Sequence, residues 1–288
     1  QKTPDKTIDF LKDPIAAYVK DGWLTADRTT LGADDGIGVA TIMALLQDKN
    51  IAHGPIEALF TVNEEDGFTG VNGLKPGVLK GGYLINIDWE SEGIFAIGSA
   101  GGVYVDAVAK YAQDPTPANM QAYQIGVQGL QGGHSGVDIN RGGGSASKVL
   151  VRLLWSANTY GVRIASINGG DRYNAIPREA SAIVTVPKSK SAAFEKFVGA
   201  FEAVVKNELA VTEPKLSISA AAAKLPAKVM NPKAQAMMLD AVYGSANGVQ
   251  RMSDSVPGLV ETSSSMGIFN RRLLDSCFEQ LPCFRFSD

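Results

Sequence analysis

Only two cysteines, Cys277 and Cys283, occur in the 288 residues, both near the C-terminus. No disulfide framework can be built from them, and a reducing, cytoplasmic location is the expectation. Histidine is equally scarce, limited to His53 and His134. Basic residues do not outnumber acidic ones: 27 against 30 gives a net charge of −3, which argues against a nucleic-acid partner, since that would need a basic face. No apolar run approaches the length of a membrane span and no basic-then-apolar leader opens the chain, so no membrane partner is expected. Internal repeats and low-complexity tracts are also missing. What is present is a composition of 45% hydrophobic and 20% charged residues, ordinary for a globular chain. The length exceeds that of a usual single domain, and two domains are expected. The start at Gln1, followed by Lys2-Thr3-Pro4-Asp5-Lys6, reads as the middle of a protein; a trimmed or processed chain would begin the same way.

From Gly36 to about Asn50, the apolar residues Ile37, Val39, Ile42, Met43, Leu45 and Leu46 predict a largely buried helix. The β-prone stretch from Ile56 to Val62 follows the turn His53-Gly54-Pro55 and predicts a strand, as does Tyr83 to Asp88 after Gly81-Gly82. Buried strands alternating with helices point to an α/β layer with a mainly parallel sheet. After Gly101-Gly102 the texture changes. Tyr123, Ile125 and Val127 alternate with polar or small residues, as does the stretch Ala182 to Val186, predicting half-exposed strands. One amphipathic helix carries Val149, Leu150, Leu153 and Leu154. Another carries Phe194, Phe197, Val198, Phe201, Val204, Val205 and Leu209, an apolar stripe that suits a core better than a ligand box. The expectation is therefore an α/β domain over 1–101 followed by an α+β domain.

Three acidic clusters fall where such a sheet presents its strand ends. Asp34 and Asp35 lie in a glycine-flanked turn before the first helix. Glu64, Glu65 and Asp66 follow the first strand, and Asp88 closes the second. Sites in open α/β sheets lie at the carboxyl ends of strands, so these groups could converge. Carboxylates gathered without a cation repel one another. Divalent ions relieve that repulsion, and oxygen ligands suit zinc, manganese or magnesium. Two ions would clamp a carbonyl and a water, lowering the water's pKa from about 15.7 towards about 7, while an unligated carboxylate takes the proton. The pair Glu64-Glu65 suits that division of labour. A plainer reading stands beside this one: Asp34 or Asp35 caps the following helix, and Glu64 to Asp66 form a solvated loop. A phosphate site at the Gly36 turn is a poor fit, because the glycine and lysine patterns are absent and two aspartates would repel the ligand. Gly142-Gly143-Gly144-Ser145 is better placed for an anion, although a Ser145 helix cap explains it as well.

Taken in order, several segments resemble a known family: Thr30 to Gly38, Asn63-Glu64-Glu65, Asn86-Ile87-Asp88, Gly129 to Gly136 with its Gly-Gly-His-Ser-Gly core, and Asn174 to Glu179. The chain resembles the aminoacyl-histidine dipeptidases (Xaa-His dipeptidase, peptidase D, cytosol non-specific dipeptidase) within the two-zinc aminopeptidase, carboxypeptidase and deacylase superfamily. The resemblance extends from about residue 7 to about residue 270. It implies two divalent ions, zinc with manganese or cobalt as alternatives. Asp34 would bridge them, Glu65 would hold one and Asp88 the other. Glu64 would be the general base. His134 in the lid domain, with Asn174 and Arg178, would bind a small peptide substrate, often across a homodimer interface. The implied activity is hydrolysis of Xaa-His dipeptides; a related deacylase or tripeptidase, and a non-catalytic dimerising or binding module, are the alternatives.

The family also supplies two metal-binding histidines, one before a segment matching Gln1 and one after the lid. Neither His53 nor His134 can replace them by position, so truncation at both ends and impaired activity are expected. Residues 102–270 are assigned to the lid and 271–288 to an atypical tail, for which a frameshift or a native divergent end are the two explanations.

Overall fold

The computed structural model describes residues 2–3, 6–64, 67–89, 93–272 and 283–287. The chain divides into two compact units, Gln1–Ser99 and Ala100–Asp288, and the fold is mixed α/β. No helix among the described residues is long and apolar enough to cross a membrane.

In the first unit, β1 (Ala17–Lys20) and β2 (Trp23–Ala26) form an antiparallel hairpin. Its turn is Asp21-Gly22, both at positive φ, the backbone that a tight two-residue hairpin loop requires and that Asp-Gly tolerates. Helices α1 (Gly36–Gln47) and α2 (Thr69–Asn72) follow. The helix expected from Gly36 thus forms, but not its expected burial: Gly38 alone is buried, while Ile37 is 70% and Met43 51% exposed. A helix that is apolar on several sides needs cover on each of them, and a two-stranded hairpin cannot provide it. The strands expected at Ile56–Val62 and Tyr83–Asp88 do not form either. Tyr83, Leu84 and Ile85 are at least 81% exposed. A strand exists only as one side of a hydrogen-bonded ladder, and the described residues offer these segments no ladder. A side chain supplies their link instead: the Glu57 carboxylate accepts from the N–H groups of Lys80 and Gly81 at 2.8 and 2.6 Å. Every ladder among the described residues is antiparallel, so the parallel pairing expected for this unit is not seen.

The second unit opens with β3 (Asp106–Lys110), β4 (Gln113–Pro115), β5 (Met120–Gln128) and the short β6 (Gly133–His134), then α3 (Ala146–Ser156). Next come β7 (Arg163–Gly169), β8 (Ala175–Ile176), β9 (Ala180–Pro187) and α4 (Ser191–Glu208). The remaining elements are β10 (Ser217–Ala222), β11 (Lys228–Met230), α5 (Pro232–Gly244), β12 (Gly248–Met252), β13 (Val260–Ser264), β14 (Ile268–Arg272) and β15 (Cys283–Ser287). Seven strands make one sheet in the order β10-β5-β9-β7-β14-β15-β3. The expected tail over 271–288 lies for the most part outside the described residues.

The alternation read in β5 and β9 sets this sheet's inner face. Tyr123 faces Val184, Ile125 faces Ala182 and Val127 faces Ala180 across the ladder, and all six belong to the core with the inward residues of α3 and α4. Gln124 and Ile183, on the opposite face, are not buried, as expected of a sheet covered on one side. Phe194 of α4 is fully buried between the rings of Tyr123 and Tyr160. A polar contact joins α3 to α5: the Lys148 ammonium donates to the carbonyls of Val242, Tyr243 and Ser245 at 2.7, 3.0 and 2.8 Å. It thereby satisfies acceptors that the end of α5 leaves open.

Two measurements check this account. Phe194→Ala is expected to cost the second unit about 3–5 kcal/mol, read as a large drop in the urea midpoint; a loss within error would place Phe194 outside the core. The second concerns acid. The Arg152 guanidinium grips Glu208 through two bonds of 2.6 and 2.7 Å and holds its carboxyl below the usual carboxylate range. A pKa lowered in the folded state contributes stability above the unfolded value, about 4.3, and loses it as pH falls through the folded one. Both groups are partly exposed, so solvent screening keeps the effect under about 1 kcal/mol. Glu208→Gln should flatten the fall in stability below about pH 4 by that amount; an unchanged acid limb would remove this pair from the ledger.

Candidate functional site

Two groups of expected residues come together, one in each unit. In the first, the turn before α1 places Asp35 at the helix N-cap, where its Oδ1 accepts from the Gly38 N–H at 3.0 Å. This satisfies a donor that the first helical turn would otherwise leave open. Gly38 is required for that approach, because a Cβ there would lie 2.0 Å from Asp35 Oδ2. Further along the chain, the Asp88 N–H donates to Asn86 Oδ1 at 3.2 Å. Asp34, Asp35 and Asp88 converge, each offering one ligand atom, and these atoms all lie within 4.8 Å of one another. Asp34 and Asp88 are exposed and Asp35 is half-buried. Three carboxylates at that spacing repel in proportion to their closeness. An all-oxygen donor set of this kind suits a hard or borderline divalent cation, so the residues present fit a metal ion. Glu64 is exposed and is not part of this group. Glu65 lies outside the described residues. His53 is exposed and is not part of this group; its Nδ1 donates to the Gly54 carbonyl at 2.7 Å.

In the second unit, β6 pairs with β8 so that His134 lies opposite Ala175, and the Ser135 N–H donates to the Asn174 carbonyl at 2.9 Å. His134 and Asn174 are thereby neighbours. Arg178 joins them: its side chain lies over Gly132, where an added Cβ would meet Arg178 Cγ at 2.2 Å. All three side chains are exposed. The His134 ring is oriented by backbone, since its Nδ1 accepts from the N–H groups of Gly136 and Val137 at 3.0 and 3.2 Å. An accepting Nδ1 carries no proton, so in the neutral ring the proton sits on Nε2 and points away from the turn. The Asp138 carboxylate closes the same turn by accepting from the His134 N–H at 2.7 Å.

The glycine run before α3 turns out differently from either sequence reading. Ser145 is the N-cap residue, but its buried hydroxyl makes no cap bond and has no partner among the described residues. The Gly144 N–H instead donates to Glu213 Oε1 at 2.9 Å, so the protein's own carboxylate takes the place where an anion could sit. Sequence reasoning left Asp35 as a cap or a ligand and passed over Glu213. Asp35 does cap and also joins the acidic group. For Glu213 the sequence carried no signal; only the fold shows Gly129 pressed close to its neighbour, where a Cβ would lie 2.1 Å from the Lys215 carbonyl oxygen.

With that geometry in hand, residues 125–213 match the family model of the peptidase dimerisation domain. The cytosol non-specific dipeptidase of Escherichia coli (strain K12) is 39% identical over 269 residues, covering 93% of this chain and 56% of the relative. The crystal structure of aminoacylhistidine dipeptidase from Vibrio alginolyticus superposes with a TM-score of 0.75 at 38% identity, over 100% of this chain and 58% of that one. The chain is similar to these dipeptidases and spans between 56% and 58% of their length. Peptidase T of Escherichia coli O1:K1 / APEC is 54% identical over a shorter stretch of 46 residues, 15% of this chain.

The Asp35 cap yields a prediction independent of any ligand. Asp35→Ala should remove the cap bond and cost α1 about 1 kcal/mol, seen as faster amide hydrogen exchange over the first turn of the helix. Unchanged exchange there would show that the cap bond does not hold the turn.

Proposed function

We propose that this chain takes part in metal-dependent hydrolysis of dipeptides, of the Xaa-His type named for its structural relative, in the cytosol named for its curated one. The convergence of Asp34, Asp35 and Asp88 carries the reading. Asp34 and Asp35 come from one turn and Asp88 from a distant segment, and a bound cation would relieve the repulsion between their carboxylates. Residues 1–101 are assigned to metal binding and 102–270 to a lid that forms a homodimer, leaving 271–288 as a divergent tail.

Asp34 would be shared by two divalent ions, zinc with manganese or cobalt as alternatives, and Asp88 and Glu65 would each hold one of them. When bound, such ions supply positive charge that acidifies water and favours negative charge on a polarised carbonyl oxygen. Glu64, outside the carboxylate group, is the general base. It accepts a proton from the attacking water and returns it to the leaving amine, a role worth roughly 10²–10⁴-fold in rate. His134 donates from Nε2 to the substrate oxygen on which charge develops, which the two N–H groups on its Nδ1 favour by fixing the tautomer. Asn174 hydrogen-bonds the substrate backbone, and Arg178 pairs with its terminal carboxylate.

A second reading is favoured by the exposed apolar surface of the first unit, with Tyr83, Leu84 and Ile85 open to solvent. On that reading the polypeptide serves only as a dimerising or binding module through its second unit. Metal content separates the two. The chain loaded with zinc or manganese is expected to retain close to two equivalents and to hydrolyse a histidine-containing dipeptide. Glu64→Ala should abolish turnover while keeping the metal. Equal loss of metal and activity in that variant would refute the division of roles, and a wild-type chain that holds no metal would favour the binding module.

A further inference from the structure

Glu213 lies in the connection between α4 and β10 and is 2% exposed. Among the described residues it pairs with no lysine, arginine or histidine. A buried carboxylate without a cation is costly unless hydrogen bonds replace its water. Here two backbone donors do so: Oε2 accepts from the Gln131 N–H at 2.7 Å and Oε1 from the Gly144 N–H at 2.9 Å. Those donors are the two ends of one segment, and between them lie β6 with His134, the Asp138 turn and the glycine run before α3. One carboxylate therefore closes the neck of the loop that presents His134.

The surroundings are built for that closure. Gln131 Nε2 donates to the Thr212 carbonyl at 2.7 Å, a second tie between the same two segments. The Glu213 N–H is anchored to the Leu209 carbonyl at 2.7 Å, and the Leu216 N–H to the Glu213 carbonyl at 3.1 Å, so the acid is held at both sides of its own backbone. Gly144 admits Leu209 and Leu130 to 2.8 and 2.9 Å of where its Cβ would be. An apolar residue in place of Glu213 would pack, but would leave the Gln131 and Gly144 N–H groups without an acceptor. On the far side of the loop the ladder to β8 and the Asp138 carboxylate hold His134 itself.

We infer that Glu213 is a positioning residue: by clamping Gln131 to Gly144 it fixes the loop whose backbone N–H groups set the tautomer of His134. The inference rests on the reading of His134 as a substrate-facing donor, because the clamp matters to function only if Nε2 must carry the proton. A loop free to open at its neck loses the alignment of Gly136 and Val137 on Nδ1, and the imidazole then exchanges between its two neutral forms.

The two histidines make this measurable. His53 donates from Nδ1 and His134 accepts at Nδ1, so at alkaline pH their ring nitrogens give opposite patterns in long-range proton–nitrogen correlation spectra, and His53 is an internal reference. Glu213→Gln preserves volume but replaces one acceptor by an NH2 group, so one neck bond is lost. In that variant of the 1–288 chain, the His134 pattern should move toward a mixture of tautomers. Amide exchange between Gln131 and Gly144 should rise by about tenfold or more as the neck opens locally, with His53 and the amides of β5 and β9 unchanged. If the glutamine variant does not fold, Glu213→Asp, which keeps the charge but draws the oxygens back, is read in the same way. A wild-type His134 pattern in the folded variant, or faster exchange spread evenly over β5 and β9, overturns the proposal. Neither readout needs turnover, so an inactive chain leaves this inference intact, and a failed clamp leaves the hydrolysis assay to stand or fall alone.

Discussion

Backbone N–H and C=O groups must find partners, and that requirement separates the two halves of this molecule. In the second unit seven strands satisfy one another, and the ladder fixes which side chains face α3 and α4. Once Tyr123 is opposite Val184, the inward positions of both strands follow at every second residue, and the helices have a surface to cover. In the first unit the β-prone segments 56–62 and 83–88 join no ladder among the described residues. Residues 83–85 are open to solvent, and α1 leaves Ile37, Val39, Met43 and Leu46 exposed. Burial there is limited by pairing rather than by hydrophobicity.

Charge imposes the second constraint. Glu213 and the group Asp34, Asp35 and Asp88 meet their surroundings in opposite ways. Glu213 is buried and held by backbone dipoles, which cost nothing to reorganise and leave no vacancy for a ligand. Asp34, Asp35 and Asp88 stand at the surface, where water dilutes their repulsion but does not cancel it. The first arrangement is a finished structural part. In the second, a bound cation would relieve the repulsion that water leaves.

Much of the second unit was legible in the sequence because its signals are periodic. The alternation of Tyr123, Ile125 and Val127 and the helical spacing from Phe194 to Val205 each specify an element and its buried side. The stretch from Tyr83 to Asp88 shows where this method fails: β propensity says that a segment can pair, not that a partner is present. Asp34 and Asp88 were visible through a glycine-flanked turn and a β-prone run, whereas the double use of Asp35 depended on the close approach permitted by Gly38. Glu213 was not legible, because a single acid between Thr212 and Pro214 resembles any solvated loop. Its partners lie 82 and 69 positions earlier in the chain, and no local pattern encodes contacts at that range.

The ammonium of Lys148, seated among three carbonyls at the end of α5, has a mechanical consequence. Its four-carbon stem springs from α3, so the two helices are riveted at one point while their apolar sides pack along their length. A torque applied to α5 is passed to α3, and through α3 to the backbone beside Pro177, whose carbonyl accepts from the Ala146 N–H. The pair behaves as a single stiff plate, and bending within this unit has to fall in the loops that lead away from it.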